Sequence, residues 1–258
     1  FINIMNPDAS LNNDVPEKFK GLTREDAREQ VIEDLKNCKL IINEESYTHS
    51  VGFSERGNVP IEFYLSEQWY LKMKALAEPA ITAVKDGDIK FHPSYWVKTY
   101  DHWIQNIKDW CISRQLWWGH RIPVWYKKGE DSSLKENIHV SVVGPKDPEN
   151  WEQDEDILDT WASSWIWPFG VHDWPENSDD LNSFYHTNTL VTGPDIIFFW
   201  VARMIMAGYE FMEDLPFKDV YFTSILRDEK GRKLSKSLGN SPDPLDMIKQ
   251  YGADAVRF

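Results

Sequence analysis

Cysteine is scarce in this chain, and what little there is does no obvious work. Cys38 and Cys111 lie far apart and form neither a zinc-ligand spacing nor a disulfide framework. A reducing compartment, the cytoplasm, is the expectation that follows. No apolar run reaches membrane-spanning length, so no membrane partner is expected. The opening Phe1-Ile2-Asn3-Ile4-Met5 has neither the charged lead nor the apolar core of a signal peptide. Nothing repeats at solenoid periods. Positive charge is also short: 28 Lys and Arg face 42 Asp and Glu, for a net charge of −14. Phosphate backbones select basic surfaces, so this balance argues against nucleic acid as a partner. Net charge is a weak guide, however, because a basic groove can sit on an acidic body.

Apolar and aromatic residues are abundant. They make up 41% of the 258 residues, with 13 Trp, 13 Phe and 10 Tyr, enough to bury a core in one large domain or two smaller ones. Phe1 to Met5 reads as a strand already under way and Ala253 to Phe258 as a helix cut short, so a segment of a longer protein is expected.

Thr23 to Asn37 has helical periodicity in Ala27, Val31 and Leu35, with Thr23 as N-cap. Leu40 to Tyr47 reads as a strand and Gly52 to Pro60 as a turn-rich loop, which places a domain boundary there. Ser66 is expected to cap a helix carrying Trp69, Met73, Leu76 and Ala77, and Pro79 to open another that Gly87 ends. Thr99 to Cys111 reads as a helix with Trp103, Ile107 and Trp110 on one face, followed by a strand from Ile122 to Tyr126. Residues 127–150 read as a polar loop or insertion with a strand at His139 to Val143. Asp156 to Trp167 looks helical, stopped by Pro168, and Trp174 to Ser183 looks like loop. Thr189 to Thr192 is then predicted to be a buried strand, Asp195 to Ala207 an apolar helix ended by Gly208, and Val220 to Ile225 the next strand. This strand–helix–strand unit predicts a parallel sheet, with ligands beyond the carboxyl ends of its strands.

Gly193, Asp195 and the run Lys233-Leu234-Ser235-Lys236-Ser237 all fall at those ends. A lysine pair in a turn is ordinarily a solvated hairpin tip. Here it follows an apolar strand, and such a loop can close over a polyphosphate and neutralise charge growing on a breaking phosphorus–oxygen bond. A carboxylate at Asp195 can simply complement a helix dipole, and Gly193 can be any strand-to-helix glycine. Trp161 and Trp200 can be ordinary core tryptophans.

The run from Lys218 to Phe258 resembles the end of the catalytic domain of the class I aminoacyl-tRNA synthetases. Its lysine loop is similar to that family's KMSKS signature, with Leu234 in place of Met. Asp159 to Ser164 (DTWASS), Leu190 to Met204 (LVTGPDIIFFWVARM) and Asn106 to Tyr126 (NIKDWCISRQLWWGHRIPVWY) resemble its valine-specific branch. Residues 1–60, with Tyr47-Thr48-His49-Ser50-Val51-Gly52, look like the tail of that family's inserted editing domain. The resemblance implies an α/β architecture. Residues 61–258 would be the second half of a Rossmann-like parallel-sheet catalytic domain with insertions, and residues 1–60 an editing remnant.

It further implies a cytoplasmic, monomeric parent. That parent would activate valine with ATP and Mg²⁺, transfer it to tRNA(Val), and edit mischarged tRNA. Lys233 and Lys236 would be catalytic, on the ATP phosphates. Gly193, Ser235 and Ser237 would help to bind ATP, with no protein-held metal. Asp195 would hold the amino acid's α-ammonium, and Trp161 and Trp200 would wall its side-chain slot. Arg114, His120 and Arg121 form a basic cluster read as a solvated face, with contact to a tRNA acceptor end as the alternative.

The sequence departs from the family in one respect: it contains no His-x-Gly-His, the other class I signature, since Gly119-His120 follows two tryptophans. The fragment by itself is therefore expected to be inactive. Two alternatives stay open: an isoleucine or leucine synthetase, and a non-catalytic module that binds tRNA or a partner protein.

Overall fold

The computed structural model describes residues 2–54, 57–235 and 238–257. The chain forms two compact units, Phe1–Glu67 and Gln68–Phe258. The sequence placed its boundary at residue 60.

In the first unit the expected helix forms as α1 (Arg24–Asn37). Thr23 caps it, its hydroxyl oxygen accepting from the Asp26 backbone N–H at 3.2 Å. The helix buries Ala27, while Val31 and Leu35 stay exposed. The expected strand from Leu40 to Tyr47 does not form; residues 40–52 are irregular. A strand needs a partner for its backbone groups, and the exposed Leu40 and Ile42 have no neighbouring strand among the described residues.

The second unit opens with β1 (Tyr70–Leu71) and α2 (Lys74–Lys85). The helix that Ser66 was expected to cap instead starts at Lys74, with Met73 at its N-cap, and runs through Pro79 rather than restarting there. Its buried alanine face of Ala77, Ala80 and Ala83 holds it in place. Gly87, at φ +83°, lies just past its end. β2 (Lys90–His92) and α3 (Trp96–Gln105) follow. The helix expected to reach Cys111 stops at Gln105, burying Tyr100 and Ile104 while Trp103 is exposed. Trp110 instead belongs to β3 (Trp110–Cys111), antiparallel to β1. β4 (Ser113–Arg114) comes next.

The polar segment 127–150 is mostly loop and turn, and its one strand, near the expected His139 to Val143, joins a small antiparallel sheet. In it β5 (Val124–Lys127) lies between β6 (Ile138–Val140) and β7 (Trp151–Gln153). The expected helix from Asp156 to Trp167 is three pieces: β8 (Ile157–Leu158), paired with β4, then α4 (Thr160–Ser164) and α5 (Trp167–Gly170). Pro168 sits in the first turn of α5, where its missing N–H costs nothing, so it starts that helix instead of stopping one. The expected loop at Trp174 to Ser183 contains α6 (Asp179–Phe184), capped by the Ser178 hydroxyl on the Leu181 N–H at 3.0 Å.

β9 (Thr187–Thr192) and β10 (Phe217–Phe222) are parallel, and β10 is also parallel to β2, giving the order β2–β10–β9. β9 is an edge strand with most side chains partly open, not the buried strand expected. The helix between them differs in form from the expectation. A 3₁₀ turn (Pro194–Ile196) leads into a π-helix (Ile197–Ala202), then α7 (Arg203–Ala207), and a further π-helical stretch (Gly208–Met212). Gly208 does not end it. A Cβ there would meet Asp214 O, Pro216 Cδ and Tyr185 Oη at 2.9 Å, so this glycine serves close packing. The helix stops at Glu213, at φ +56°. Its stretch Val201–Gly208 is buried against α2 and the sheet, in a core with Phe91, Tyr100, Phe169 and Phe217. α8 (Pro244–Tyr251) and α9 (Ala253–Arg257) follow the lysine loop.

Candidate active site

The site begins where two parallel strands end side by side. Phe222 of β10 is in register with Thr192 of β9, and the Thr223 N–H continues the ladder to Thr192 O at 2.9 Å. The two segments that leave these ends carry the expected chemistry. From β9 the chain enters Gly193 and the 3₁₀ turn with Asp195. From β10 it enters the lysine loop.

Among the described residues of the loop, 226–234 form a hairpin. Arg227 and Lys233 form an antiparallel bridge, and Gly231 turns the tip at φ +76°. Asp228 organises it, accepting from the Lys230 and Arg232 backbone N–H groups at 3.0 and 2.9 Å, from Arg232 Nε at 2.8 Å and from Asn240 Nδ2 at 3.0 Å. These bonds, that from Asn240 foremost, hold its carboxyl below the ordinary range. Asn240 Oδ1 in turn accepts the Ser235 N–H at 2.9 Å. The sequence reading passed over both residues, although an Asp three residues before a Gly is a turn signal.

This hairpin delivers Lys233 to Asp195: Nζ lies 2.5 Å from Oδ2. The hydrogen bond from Lys233 is the main cause that pulls the Asp195 carboxyl below its ordinary pKa. Both groups are exposed enough that water screens the pair. Gly193 has a concrete reason to be glycine, since a Cβ there would stand 2.6 Å from Asp195 Oδ1. Lys236 and Ser237 lie outside the described residues.

Trp161 and Trp200 each reach across the seam between α4 and the π-helix. Trp161 stacks on Phe199 at 5.9 Å between centroids, and Trp200 Nε1 donates to Ser164 O at 2.9 Å. A π-helix is uncommon and tends to occur at functional sites, where its extra residue re-aims side chains. Behind the seam, Asp159 Oδ2 accepts from Trp110 Nε1 at 2.9 Å and pairs with Arg114 Nη2 at 3.2 Å and Arg203 Nη1 at 3.7 Å. Asp159 and Arg203 were not singled out from sequence, although a lone Arg in the apolar run from Ile196 to Ala207 signals a buried cation in need of a carboxylate.

In the basic cluster His120 and Arg121 are exposed, as a solvated face requires, and Arg114 is half-buried. Besides its pair with Asp159, Arg114 donates to Cys111 O and Ser113 O, and Arg121 donates to Gln153 O and Asp154 O. A cavity of about 370 Å³ lined by His172, Ser183, Phe184, His186, Thr187 and Asn188 sits at the opposite, amino end of β9 and holds none of the expected site residues. Among the described residues no three His, Cys, Asp or Glu side chains are grouped so that they could hold a metal ion. No helix among them is long and apolar enough to cross a membrane.

The sequence is similar to valine–tRNA ligases. It is 58% identical to that of Chlorobaculum tepidum over 247 residues, covering 93% of this chain and 27% of the relative. It is 52% identical to that of Treponema denticola over 257 residues, covering all of this chain and 28% of the relative. The chain thus spans little more than a quarter of these relatives' length. Among solved structures, Mycobacterium tuberculosis methionyl-tRNA synthetase bound by methionyl-adenylate shares the fold. Its TM-score is 0.55 at 18% identity, covering 80% of this chain and 35% of that one. Residues 12–258 match the family described as tRNA synthetases class I (I, L, M and V), and the chain belongs to that family.

Proposed function

We propose that this chain is the part of a valine–tRNA ligase that carries the lysine loop and the amino-acid-binding side chains, acting in the activation of valine as valyl-adenylate. The observation that carries this reading is the meeting of Lys233 and Asp195 at the carboxyl ends of adjacent parallel strands. A carboxylate in that place suits the α-ammonium of an amino acid. In this structure the Lys233 ammonium occupies that position, so substrate would take its place and release the lysine toward phosphate.

The valine carboxylate then attacks the α-phosphorus in line, and pyrophosphate leaves as the bridging bond breaks. Lys233, with Lys236 beside it in sequence, stabilises the negative charge that rises on the departing oxygens. A loop that brings cations in at this step favours the transition state over the ground state. ATP is the second substrate, and Mg²⁺ accompanies its phosphates. Ser235, Ser237 and Gly193 help to bind ATP.

The seam residues Trp161 and Trp200 form the apolar wall for the isopropyl group. The activated valine passes to tRNA(Val). An apolar slot discriminates poorly against an isosteric hydroxyl, which fits residues 1–60 being the tail of an editing domain. Cytoplasmic location and a monomeric parent complete the reading.

The test is ATP–pyrophosphate exchange by the full-length protein that contains this segment, with valine, isoleucine and leucine in parallel. Valine is expected to support the fastest exchange at limiting concentration. Faster exchange with isoleucine or leucine would overturn the assignment. No exchange with any of them would favour a non-catalytic binding module.

A further inference from the structure

One buried cation has no part in the chemistry above. Arg203 is 6% exposed. Burial lowers its pKa to about 10, against the opposing pull of Asp159, so it is still charged at neutral pH. Its Nε and Nη1 donate no hydrogen bond among the described residues. An arginine in that condition is a poor choice for stability, because a well-packed apolar residue usually does as well or better. What it contributes is position.

Its guanidinium carbon lies 3.6 Å from the centroid of the Trp110 ring, stacked on it, and 5.7 Å from those of both Phe198 and Phe199. Nη1 is 3.7 Å from Asp159 Oδ2, which also accepts the Trp110 indole N–H. Asp159 immediately precedes α4, which carries Trp161. Phe199 stacks on Trp161, and its neighbour Trp200 is hydrogen-bonded to Ser164 O at the other end of α4. Arg203 therefore grips both sides of the seam, the base of α4 through Asp159 and the π-helix through the phenylalanine rings.

We infer that Arg203, acting through Asp159, is a positioning residue that fixes the spacing of Trp161 and Trp200 and so sets the discrimination between valine and the larger isoleucine. The inference rests on the valine reading. One extra methylene in an apolar pocket is rejected by roughly 10–200-fold when the walls cannot yield. An ion pair locked by a stacked indole keeps them from yielding, and a wall held by dispersion alone is softer.

The experiment is the same exchange assay on the full-length ligase, with Arg203→Met, Arg203→Lys, Asp159→Asn and the double variant Asp159→Asn/Arg203→Met. In Arg203→Met the ratio of kcat/KM for valine to that for isoleucine is expected to fall by about tenfold. Most of the valine loss should be in KM, with KM for ATP moving less than about twofold. Arg203→Lys, which keeps the charge without the planar fork, falls between. Asp159→Asn lowers the ratio as Arg203→Met does, and the double variant adds little, since the two act as one unit. If Arg203→Met does not fold, Arg203→Lys and Asp159→Asn carry the same ratio. An unmoved valine-to-isoleucine ratio in folded variants, with lowered melting temperature alone, overturns the positioning role. A wild type that prefers another amino acid overturns the valine reading instead.

Discussion

Along the seam of α4 and the π-helix, Asp159, Trp165, Val201 and Arg203 are all buried, whereas none of the described residues from 223 to 240 is. The seam is fixed by stacking, an ion pair and the main core. The lysine hairpin is shaped by Asp228 and Asn240 and meets the seam side of the site through the exposed pair of Lys233 with Asp195. The difference teaches a division of labour. Recognising one small side chain needs walls that do not move, so it is built where packing is dense. Stabilising a transient diphosphate needs cations that come and go, so they sit on a segment whose local opening costs little.

The sharpest way to break this comparison is to change Asp195, where the two regions touch. Asp195→Asn in the full-length ligase is expected to lower kcat/KM for valine by about 10²–10³-fold, because it removes a charge-assisted contact to the substrate ammonium. A loss below tenfold in pyrophosphate exchange would separate Asp195 from the amino acid. On stability, Phe169→Ala empties a fully buried position and should cost about 3–5 kcal/mol in urea unfolding. Leu238→Ala, on the exposed loop side, should change it by less than about 0.5 kcal/mol. Similar costs for both would abolish the contrast.

Gly193→Ala pushes a methyl toward Asp195 Oδ1 and should reduce valine kcat/KM by about tenfold, with thermal stability nearly unchanged. The smallest effect concerns pH. The folded Asp195 carboxyl is depressed from 3.8 chiefly by the Lys233 hydrogen bond. The contact's contribution is therefore complete above pH 3.8 and is lost as pH falls through the lower folded value. Carboxyl carbon NMR should show Asp195 titrating below 3.8. A midpoint at or above 3.8 would mean the pair does not persist in solution.

The order of strand, helix and strand, the placement of Gly193, Asp195 and Lys233 beyond strand ends, and the Thr23 cap were legible in the sequence, because each rests on local chemistry. The places where the reading failed are those that distant partners decide. Leu40 to Tyr47 has strand composition but no neighbouring strand among the described residues. Trp110 fits a helical stripe but is claimed by pairing with β1 and by Asp159. The π-helix is invisible in a pattern whose apolar residues fit an α-helix equally well. Asp159 and Arg203 escaped notice because a buried ion pair joins residues remote in sequence, although the lone arginine in an apolar run carried half of the signal.

The most direct measurement is a double-mutant cycle on the pre-steady-state rate of valyl-adenylate formation, using the full-length ligase with Asp195→Asn, Lys233→Met and both. If the strand-end carboxylate and the loop ammonium form one site, the double variant should lose at least about tenfold less than the product of the single losses. Losses that multiply in full would contradict the account.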